Sequence, residues 1–132
     1  MSKDFRVIIA GSRNFTDYNL LKEKCDKILS KKLNDPDSKI IVISGHARGA
    51  DSLGERYAKE KGLECELYPA DWDKFGKSAG YRRNKLMASV SNGLIAFLGA
   101  YSENKGTKMM VKIARENNLL TRVIKEEGYE EK

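Results

Sequence analysis

The sequence predicts an α/β fold, a Rossmann-like three-layer sandwich with helices on both faces of a mainly parallel five-stranded sheet. Three observations lead to this prediction. Short apolar runs alternate with amphipathic segments of helical length, which is the pattern of consecutive β-α-β units. Clusters of Gly, Pro, Asn, Asp and Ser separate several of these segments. The 132 residues are enough for one domain, which we expect to span residues 1–132.

The first half of the chain predicts three strands and two helices. Leucine, isoleucine and cysteine recur near the helical period after Asp17, a residue type that commonly caps a helix N-terminus. Gly62 is placed to end the second helix in a left-handed conformation. The expected order is a strand at 5–10, a helix at 17–33, a turn at 34–38, a strand at 39–43, a helix at 49–61 and a strand at 64–68.

The second half predicts a long loop and then two further helices and strands. Residues 69–80 form the loop, which holds the only tryptophan of the chain, and loops of this length in compact domains are often functional. We expect a helix from about residue 79, a strand at 93–98, a polar loop at 99–105, a helix at 106–117, a strand at 120–124 and a solvated tail at 125–132.

Right-handed crossovers between parallel strands give the strand order 3-2-1-4-5. In that order the chain reverses direction between the first and fourth strands. Open α/β sheets bind their ligands in the crevice beyond the carboxyl ends of the strands at such a point. The turns after strands one, two and four are therefore the candidate site.

Composition excludes several classes of protein. The net charge of +6 favours anionic ligands without naming one. No apolar run approaches the roughly 18 residues of a membrane span, and the first six residues are too polar for a signal peptide, so we expect a cytoplasmic protein without a membrane partner. Cys25 and Cys65 lack CxxC spacing and neighbouring histidines, so neither a metal site nor a disulfide framework is predicted.

The turn after the second strand is the most informative. Residues 44–51 read Ser-Gly-His-Ala-Arg-Gly-Ala-Asp and lead from an apolar run into a helix. Glycines let the backbone approach an anion, the helix N-terminus offers N–H groups, and an arginine adds charged donors. Asp51 has three open roles: capping the helix, meeting a ribose hydroxyl or orienting the arginine. The residues expected at the ligand are Ser44, Gly45, Arg48, Gly49 and Asp51.

Two similar turns follow the first and fourth strands. Gly11, Ser12 and Arg13 come directly after the first strand, and Arg13, like Arg48, is expected to grip a phosphate with its planar guanidinium. Gly106 and Thr107 open the last helix, where the threonine hydroxyl can bind phosphate or cap the helix. The sequence therefore predicts a phosphate site shared by three turns.

The long loop and the helix after it contribute further candidates. Asp71 and Trp72 lie in the loop, and Arg83 and Asn84 lie near the start of the helix, where they can reach phosphates or loop backbone. Trp72 either stacks on a base, an interaction worth about 1 to 3 kcal/mol in single-strand complexes, or pins the loop to the core. Both interpretations stay open.

These motifs together resemble the SLOG superfamily of Rossmann-like nucleotide-binding domains, most closely its YspA/YpsA-related branch. The resemblance covers nearly the whole chain. The residues that carry it are Gly11-Ser12-Arg13 with Phe15 and Asp17, Ser44-Gly45 with residues 47–51, residues 69–72, Ala79-Gly80 with Arg83-Asn84 and Met87, and Gly106-Thr107 with Met110. It implies a nucleotide or nucleotide-derived ligand at the sheet edge. Relatives often self-associate, so a homo-oligomer is a further expectation.

Two more distant relatives imply different functions. The Lonely Guy phosphoribohydrolases resemble the chain at Gly106-Thr107 and use a glutamate three residues after that threonine, where this chain has Met110. A thioether cannot act as an acid or base, which argues against that reaction. The DNA-processing protein DprA resembles the chain at Ser44-Gly45, residues 47–49 and Asp51, and binds single-stranded DNA. His46 stands where many relatives carry glycine, as a tolerated loop side chain or a phosphate contact.

The leading hypothesis is a sensor or binding domain for a nucleotide or nucleotide-derived ligand, with no residue assigned as catalytic. A nucleotide-type ligand is expected, and no other cofactor is predicted. The first alternative is a hydrolase that cleaves an N-glycosidic or phosphoester bond, with Asp51 or Asp71 in place of the missing acid. The second is DprA-like binding of single-stranded nucleic acid, favoured by the positive charge and by Arg82 and Arg83.

Overall fold

The computed structural model describes residues 4–100 and 104–130, which fold around one five-stranded sheet. The strands are β1 (Asp4–Gly11), β2 (Lys39–Ser44), β3 (Glu64–Leu67), β4 (Gly93–Leu98) and β5 (Leu120–Lys125). The helices are α1 (Tyr18–Ile28), α2 (Ser30–Leu33), α3 (Ala50–Lys61), α4 (Trp72–Phe75), α5 (Ala79–Ser89) and α6 (Lys105–Glu116), with a 3-10 turn at Gly76–Ser78. The sheet order is β3-β2-β1-β4-β5 and all four pairings are parallel. The predicted fold class and strand order are confirmed.

The central strand β1 shows why helices must cover both faces of the sheet. Val7 and Ile9 contribute to one apolar cluster, whereas Ile8 and Ala10 contribute to the other. Successive side chains of a strand point to opposite faces, and here both sets are buried. Side chains of α1 and α3 complete the first cluster, and side chains of α5 and α6 complete the second. The result is the three-layer arrangement.

The first helix is shorter than the sequence predicts. One helix was expected at 17–33, but α1 ends at Ile28 and the separate turn α2 begins at Ser30. Leu29 between them has ψ of 5°, which locally unwinds the chain, while its side chain stays buried. No glycine or proline marks this break, so the apolar period runs through it unchanged. Asp17 is the N-cap, as predicted, and accepts a hydrogen bond from the N–H of Leu20 at 3.0 Å.

The loop expected at residues 69–80 contains regular structure. The short helix α4 and the 3-10 turn after it occupy most of the loop, and α5 begins at Ala79 as predicted. Asp71 explains the helical turn, because its Oδ1 accepts a hydrogen bond from the N–H of Lys74 at 3.0 Å. The remaining boundaries differ from the predicted ones by at most one residue. Gly62 ends α3 in the left-handed region with φ of 70°, as expected.

Parts of three predicted segments lie outside the described residues. These are the first three residues, residues 101–103 of the polar loop and the last two residues of the tail. In the described part of the tail, the N–H of Glu126 bonds to the Leu98 carbonyl at 2.9 Å and the Glu126 Oε1 accepts from the N–H of Ala100 at 2.8 Å. The tail is thus held at its start. Among the helices of residues 4–100 and 104–130, none has the length and apolarity to cross a membrane.

We expect Asp17→Ala to lower the free energy of unfolding by about 1 kcal/mol, because the first turn of α1 loses its side-chain acceptor. Urea denaturation measures this change. Asp37→Ala removes an exposed aspartate from the turn before β2 and serves as the matched control, with an expected change below about 0.5 kcal/mol. Equal effects of the two substitutions would contradict the assigned cap.

Candidate functional site

The carboxyl ends of β1, β2 and β4 lead into loops around one cavity of about 590 Å³. This volume falls within the range of about 300–1,000 Å³ that small-molecule sites occupy. The cavity lies where the chain reverses direction between β1 and β4, as predicted for the sheet order. Its lining residues are Ala10, Gly11, Ser12, Arg13, Asn14, Ala47, Arg48, Asp51, Trp72, Lys77, Gly80, Tyr81, Arg83, Asn84, Met87, Asn104, Lys105, Gly106, Thr107, Met109 and Met110.

The loops after β1 and β2 lock together through backbone contacts. The carbonyl of Ser12 accepts a hydrogen bond from the N–H of Ala50 at 3.1 Å, and the N–H of Ser12 donates to the carbonyl of Phe97 at 3.1 Å. Gly49 has φ of 79°, and a Cβ added there would lie 2.3 Å from the Ser12 carbonyl oxygen. Only glycine therefore allows the β2 loop to approach the β1 loop this closely. Ser12 itself is buried.

Asp51 holds the same two loops from inside the first turn of α3. Its side chain is 6% exposed, and its Oδ2 accepts a hydrogen bond from the N–H of Ala47 at 3.3 Å. The backbone N–H of Gly11, at the end of β1, also lowers the pKa of this carboxyl. Asp51 thus interacts with both the end of β1 and the β2 loop and lines the cavity at the same time.

Arg83 brings α5 to these loops. Its Nη1 donates to the carbonyl of Gly45 at 2.6 Å and its Nε donates to Asn84 Oδ1 at 2.9 Å. A Cβ added at Gly45 would lie 2.5 Å from Arg83 Nη1 and 2.8 Å from Asp51 Oδ2, which explains the glycine at that position. The sequence predicted that Arg83 contacts either phosphate or the backbone of the long loop at residues 69–80. In the structure Arg83 contacts backbone, but that of the β2 loop.

Burial is the main cause of the pKa shifts of Asp51 and Arg83. The pKa of the Asp51 carboxyl is raised to about 6, mainly by burial and to a smaller extent by Glu55, whereas the N–H of Ala47 and the charge of Arg83 oppose the rise. Burial also lowers the pKa of Arg83, with Arg13 adding to the effect and Asp51 opposing it. Both pKa shifts result from lost hydration, because the attraction between Asp51 and Arg83 compensates only part of that loss.

Ser44 and His46 form a separate cluster with Glu55. The Ser44 hydroxyl donates to Glu55 Oε2 at 2.7 Å and accepts from the N–H of His46 at 3.1 Å. The His46 Nδ1 lies 3.0 Å from Glu55 Oε2, and its backbone has φ of 59°. Ser44 is fully buried, and neither it nor His46 lines the cavity. In this structure both residues shape the β2 loop.

The first turn of α6 forms another wall. Asn104 precedes it in the left-handed region with φ of 59°, and its side-chain amide bonds both the N–H and the carbonyl of Gly99 at 3.0 Å. Asn104 therefore caps α6 without a side-chain hydrogen bond, and no acidic residue lies in that turn. Thr107 is 7% exposed, and a Cβ added at Gly106 would have no atom within 4 Å. Relative to the described residues, the N-terminus of α6 thus faces the cavity with room at Gly106.

The structure brings most of the predicted site residues together. Those that line the cavity are Gly11, Ser12, Arg13, Arg48, Asp51, Trp72, Arg83, Asn84, Gly106 and Thr107. Ser44, Gly45, Gly49 and Asp71 do not line the cavity; the first three shape the β2 loop, and Asp71 caps α4. The sequence reasoning did not single out Asn104, Lys77 and Tyr81. Asparagine tolerates the left-handed conformation, so the residue type at position 104 could have indicated a special role for Asn104. No pattern in the sequence indicated Lys77 or Tyr81.

The cavity wall carries a strong excess of positive charge. Arg13, Arg48, Lys77, Arg83 and Lys105 line it, and Asp51 is the only carboxylate among the described lining residues. Arg13 and Arg48 are exposed. Cations beside a helix N-terminus that carries no acidic residue form an environment for an anion. Within residues 4–100 and 104–130, no cluster of three or more His, Cys, Asp or Glu residues could hold a metal ion.

Comparison with known proteins identifies the family. The model of the YspA, cpYpsA-related SLOG family matches residues 5–75, from β1 through α4. The chain belongs to this family. It is also similar to the Gene 61 protein of Mycobacterium phage D29, with 36% identity over 98 residues, which are 70% of this chain and 75% of the phage protein. Membership in the SLOG family indicates a nucleotide-related binding or modifying role. The Gly106-Thr107 turn lies beyond the matched residues.

We expect Gly49→Ala to destabilise the protein by about 3 kcal/mol or more, because the methyl group meets the Ser12 carbonyl in a backbone conformation that only glycine adopts freely. Gly62→Ala is the matched control. Gly62 also has positive φ, but nothing lies within 4 Å of the added Cβ, so a loss of about 1 kcal/mol is expected. Chemical denaturation compares the two, and a larger loss for Gly62→Ala would contradict the described packing.

A second expectation concerns pH and Asp51. A carboxyl whose pKa is about 6 in the folded state and 3.8 in the unfolded state binds its proton more tightly when folded. Its stabilising contribution is complete below the unfolded value and is lost as the pH rises through the folded value. Asparagine keeps the acceptor and does not titrate. The unfolding free energy of the wild type relative to Asp51→Asn should therefore fall by about 3 kcal/mol between about pH 4 and about pH 7.

Urea denaturation of both proteins across this pH range measures the difference. The comparison with Asp51→Asn cancels the remaining carboxyl groups, such as Glu66, whose pKa is lowered by its hydrogen bond to Arg6. A difference that stays constant or grows with pH would show that Asp51 is not held in the described environment.

Proposed function

We propose that this protein binds a nucleotide or nucleotide-derived small molecule in the cavity at the carboxyl edge of the sheet and acts as a binding or sensing domain. The phosphate lies at the first turn of α6, near Gly106 and Thr107, and the arginines of the β1 and β2 loops neutralise it. Family membership supports the nucleotide-related part of this proposal.

The proposal is supported by the position of the start of α6 inside a cationic cavity. The side chain of Asn104 bonds to Gly99 and makes no capping hydrogen bond to the first turn of α6. Backbone N–H groups at a helix N-terminus bind phosphate oxygens, and the helix dipole adds to the attraction. Gly106 leaves room for an oxygen to approach the backbone. Charge, hydrogen-bond donors and space thus occur together.

Arg13 and Arg48 have the properties of phosphate ligands. Both are exposed residues on the cavity wall, in loops that Asp51 and Gly49 hold in place. An exposed arginine contributes little to stability, whereas a guanidinium beside a phosphate forms two charge-assisted hydrogen bonds. Arg83 differs from them, because its contacts with Gly45 and Asn84 make it a support for the wall.

Met110 supports binding rather than hydrolysis. It lies at the cavity with 1% of its surface exposed, three residues after Thr107, where the Lonely Guy enzymes have a glutamate. A thioether neither donates nor accepts a proton in a reaction. The ligand therefore meets an apolar group at the position where those enzymes place a carboxylate.

A nucleotide hydrolase is the second candidate, and Asp51 is the observation that favours it. Burial raises the pKa of this cavity-lining carboxyl to about 6, near the range in which an acid or base works at neutral pH. Asp71, the other candidate acid, does not line the cavity. Mass spectrometry of a nucleotide panel tests this function: released base or phosphate that disappears in Asp51→Asn supports it.

We expect Gly106→Asp to abolish ligand stabilisation without unfolding the protein. The new carboxylate has space, interacts favourably with the dipole of α6 and repels a phosphate. Thermal melting with mononucleotides, cyclic nucleotides, dinucleotides and ADP-ribose measures the effect. A ligand at about 100 times its dissociation constant stabilises the wild type by about 2.7 kcal/mol, which raises the melting temperature by several degrees.

Gly106→Asn is the matched control, since it has the same size without the charge. It should retain more of the melting shift than Gly106→Asp. If no compound shifts the wild type, or if both variants respond as the wild type does, the proposed site is wrong. A shift with a short oligonucleotide alone, sensitive to salt, would instead favour binding of single-stranded nucleic acid.

A further inference from the structure

Trp72 is a large apolar side chain that the fold leaves half exposed. Its relative exposure is 50%, and it lies on the wall of the cavity. The indole rests on Gly80 at the start of α5, where an added Cβ would lie 3.3 Å from Trp72 Cη2. One edge of the indole therefore packs against α5, and the rest of the ring is exposed.

The surrounding segment is held by contacts that do not involve Trp72. The Ser78 hydroxyl donates to the Phe75 carbonyl at 3.0 Å, and the Arg82 Nε donates to the Ser78 hydroxyl oxygen at 3.0 Å. The Arg82 guanidinium also lies over the Phe75 ring, 4.5 Å from its centroid. These contacts join the end of α4 to α5, so anchoring the loop does not require the tryptophan.

Asp71 positions the tryptophan. It is the N-cap of α4, and its bond to the N–H of Lys74 fixes the one helical turn that begins with Trp72. Asp71 does not line the cavity itself. Its contribution to the site is the orientation of the neighbouring indole.

The cavity lining combines cationic and apolar side chains. The loops after β1 and β2 and the start of α6 supply Arg13, Arg48 and Lys105. Trp72 adds an aromatic surface, and buried Met87 and Met110 add polarisable apolar groups. A ligand that contacts both kinds of side chain has an anionic part and a flat apolar part.

We propose that Trp72 stacks on the base of the ligand, so that the site selects nucleotides with an unpaired aromatic base over sugar phosphates and inorganic phosphates. This inference rests on the proposed function, because it takes the phosphate to lie at the start of α6. It assigns Trp72 as a specificity-determining residue. Base stacking on an aromatic ring tolerates any of the four bases, so selection is for the presence of a base.

Fluorescence of the wild-type protein tests the proposal directly, because Trp72 is the only tryptophan in the chain. The four nucleoside 5′-monophosphates are titrated separately, and ribose 5-phosphate and inorganic pyrophosphate serve as baseless probes. At least one nucleotide should change the emission in a saturable way. Ribose 5-phosphate at saturation should leave the emission largely unchanged.

Calorimetric titration of variants gives the size of the effect. Trp72→Ala should weaken the binding of the nucleotide by about fivefold to a hundredfold and change the binding of ribose 5-phosphate by less than about twofold. Trp72→Phe keeps a ring and should lose less. Leu86→Ala removes an exposed side chain of α5 outside the cavity and should bind as the wild type does.

Two outcomes overturn the proposal and are distinguishable. If nucleotides and ribose 5-phosphate bind equally well, and Trp72→Ala affects neither or both alike, the phosphate site stands and the stacking proposal fails. If none of the nucleotides or baseless phosphates binds, the proposed function fails together with it. Thermal melting of each variant without ligand confirms that it is folded.

Discussion

The cavity depends on one buried carboxylate that joins three segments of the chain. Asp51, in the first turn of α3, accepts a hydrogen bond from the N–H of Ala47 in the loop after β2, and the N–H of Gly11 at the end of β1 lowers its pKa. The N–H of the neighbouring Ala50 bonds to the Ser12 carbonyl in the loop after β1. Arg83 extends the connection to α5 through the carbonyl of Gly45. The attraction between the charges of Asp51 and Arg83 is a weak source of stability, because it compensates only part of the hydration that the two groups lose. The contacts of Asp51 and Arg83 instead hold the β1 and β2 loops in place, and this fixes the positions of the exposed Arg13 and Arg48 in those loops.

The topology of the sheet makes this arrangement available. β1 lies at the centre between β2 and β4, and the chain leaves β1 and β4 toward opposite sides. Three loops and two helix N-termini, those of α3 and α6, consequently converge at one edge. α3 places an acidic residue in its first turn, whereas α6 has none. The first N-terminus supports the loops, and the second remains suited to an anion.

Much of this could be predicted from the sequence because short-range rules govern it. Apolar runs, turn glycines and caps such as Asp17 and Gly62 gave the strands, their order and most of the helices. The break at Leu29 and the helical turn at Trp72 were missed, since no breaker residue marks the first and a four-residue helix has too few positions for a period. From the sequence we expected Ser44 and Gly45 to contact the ligand. In the structure the Ser44 hydroxyl bonds to Glu55, and the missing side chain of Gly45 makes room for Arg83. Such contacts depend on tertiary packing, which no spacing in the chain records.

In the proposed complex a nucleotide binds with its phosphate at the start of α6, facing the β1 and β2 loops. Backbone amide resonances in a nuclear magnetic resonance titration with adenosine 5′-monophosphate test it most directly, because they report the place of binding residue by residue. The largest shifts are expected at Gly106 and Thr107, at Ser12 and Arg13, and at the indole N–H of Trp72. A second, smaller cavity at the other end of the sheet is lined by Gly93 and Leu120 among others. Shifts centred there, or no shifts at saturating nucleotide, would rule out the proposed site.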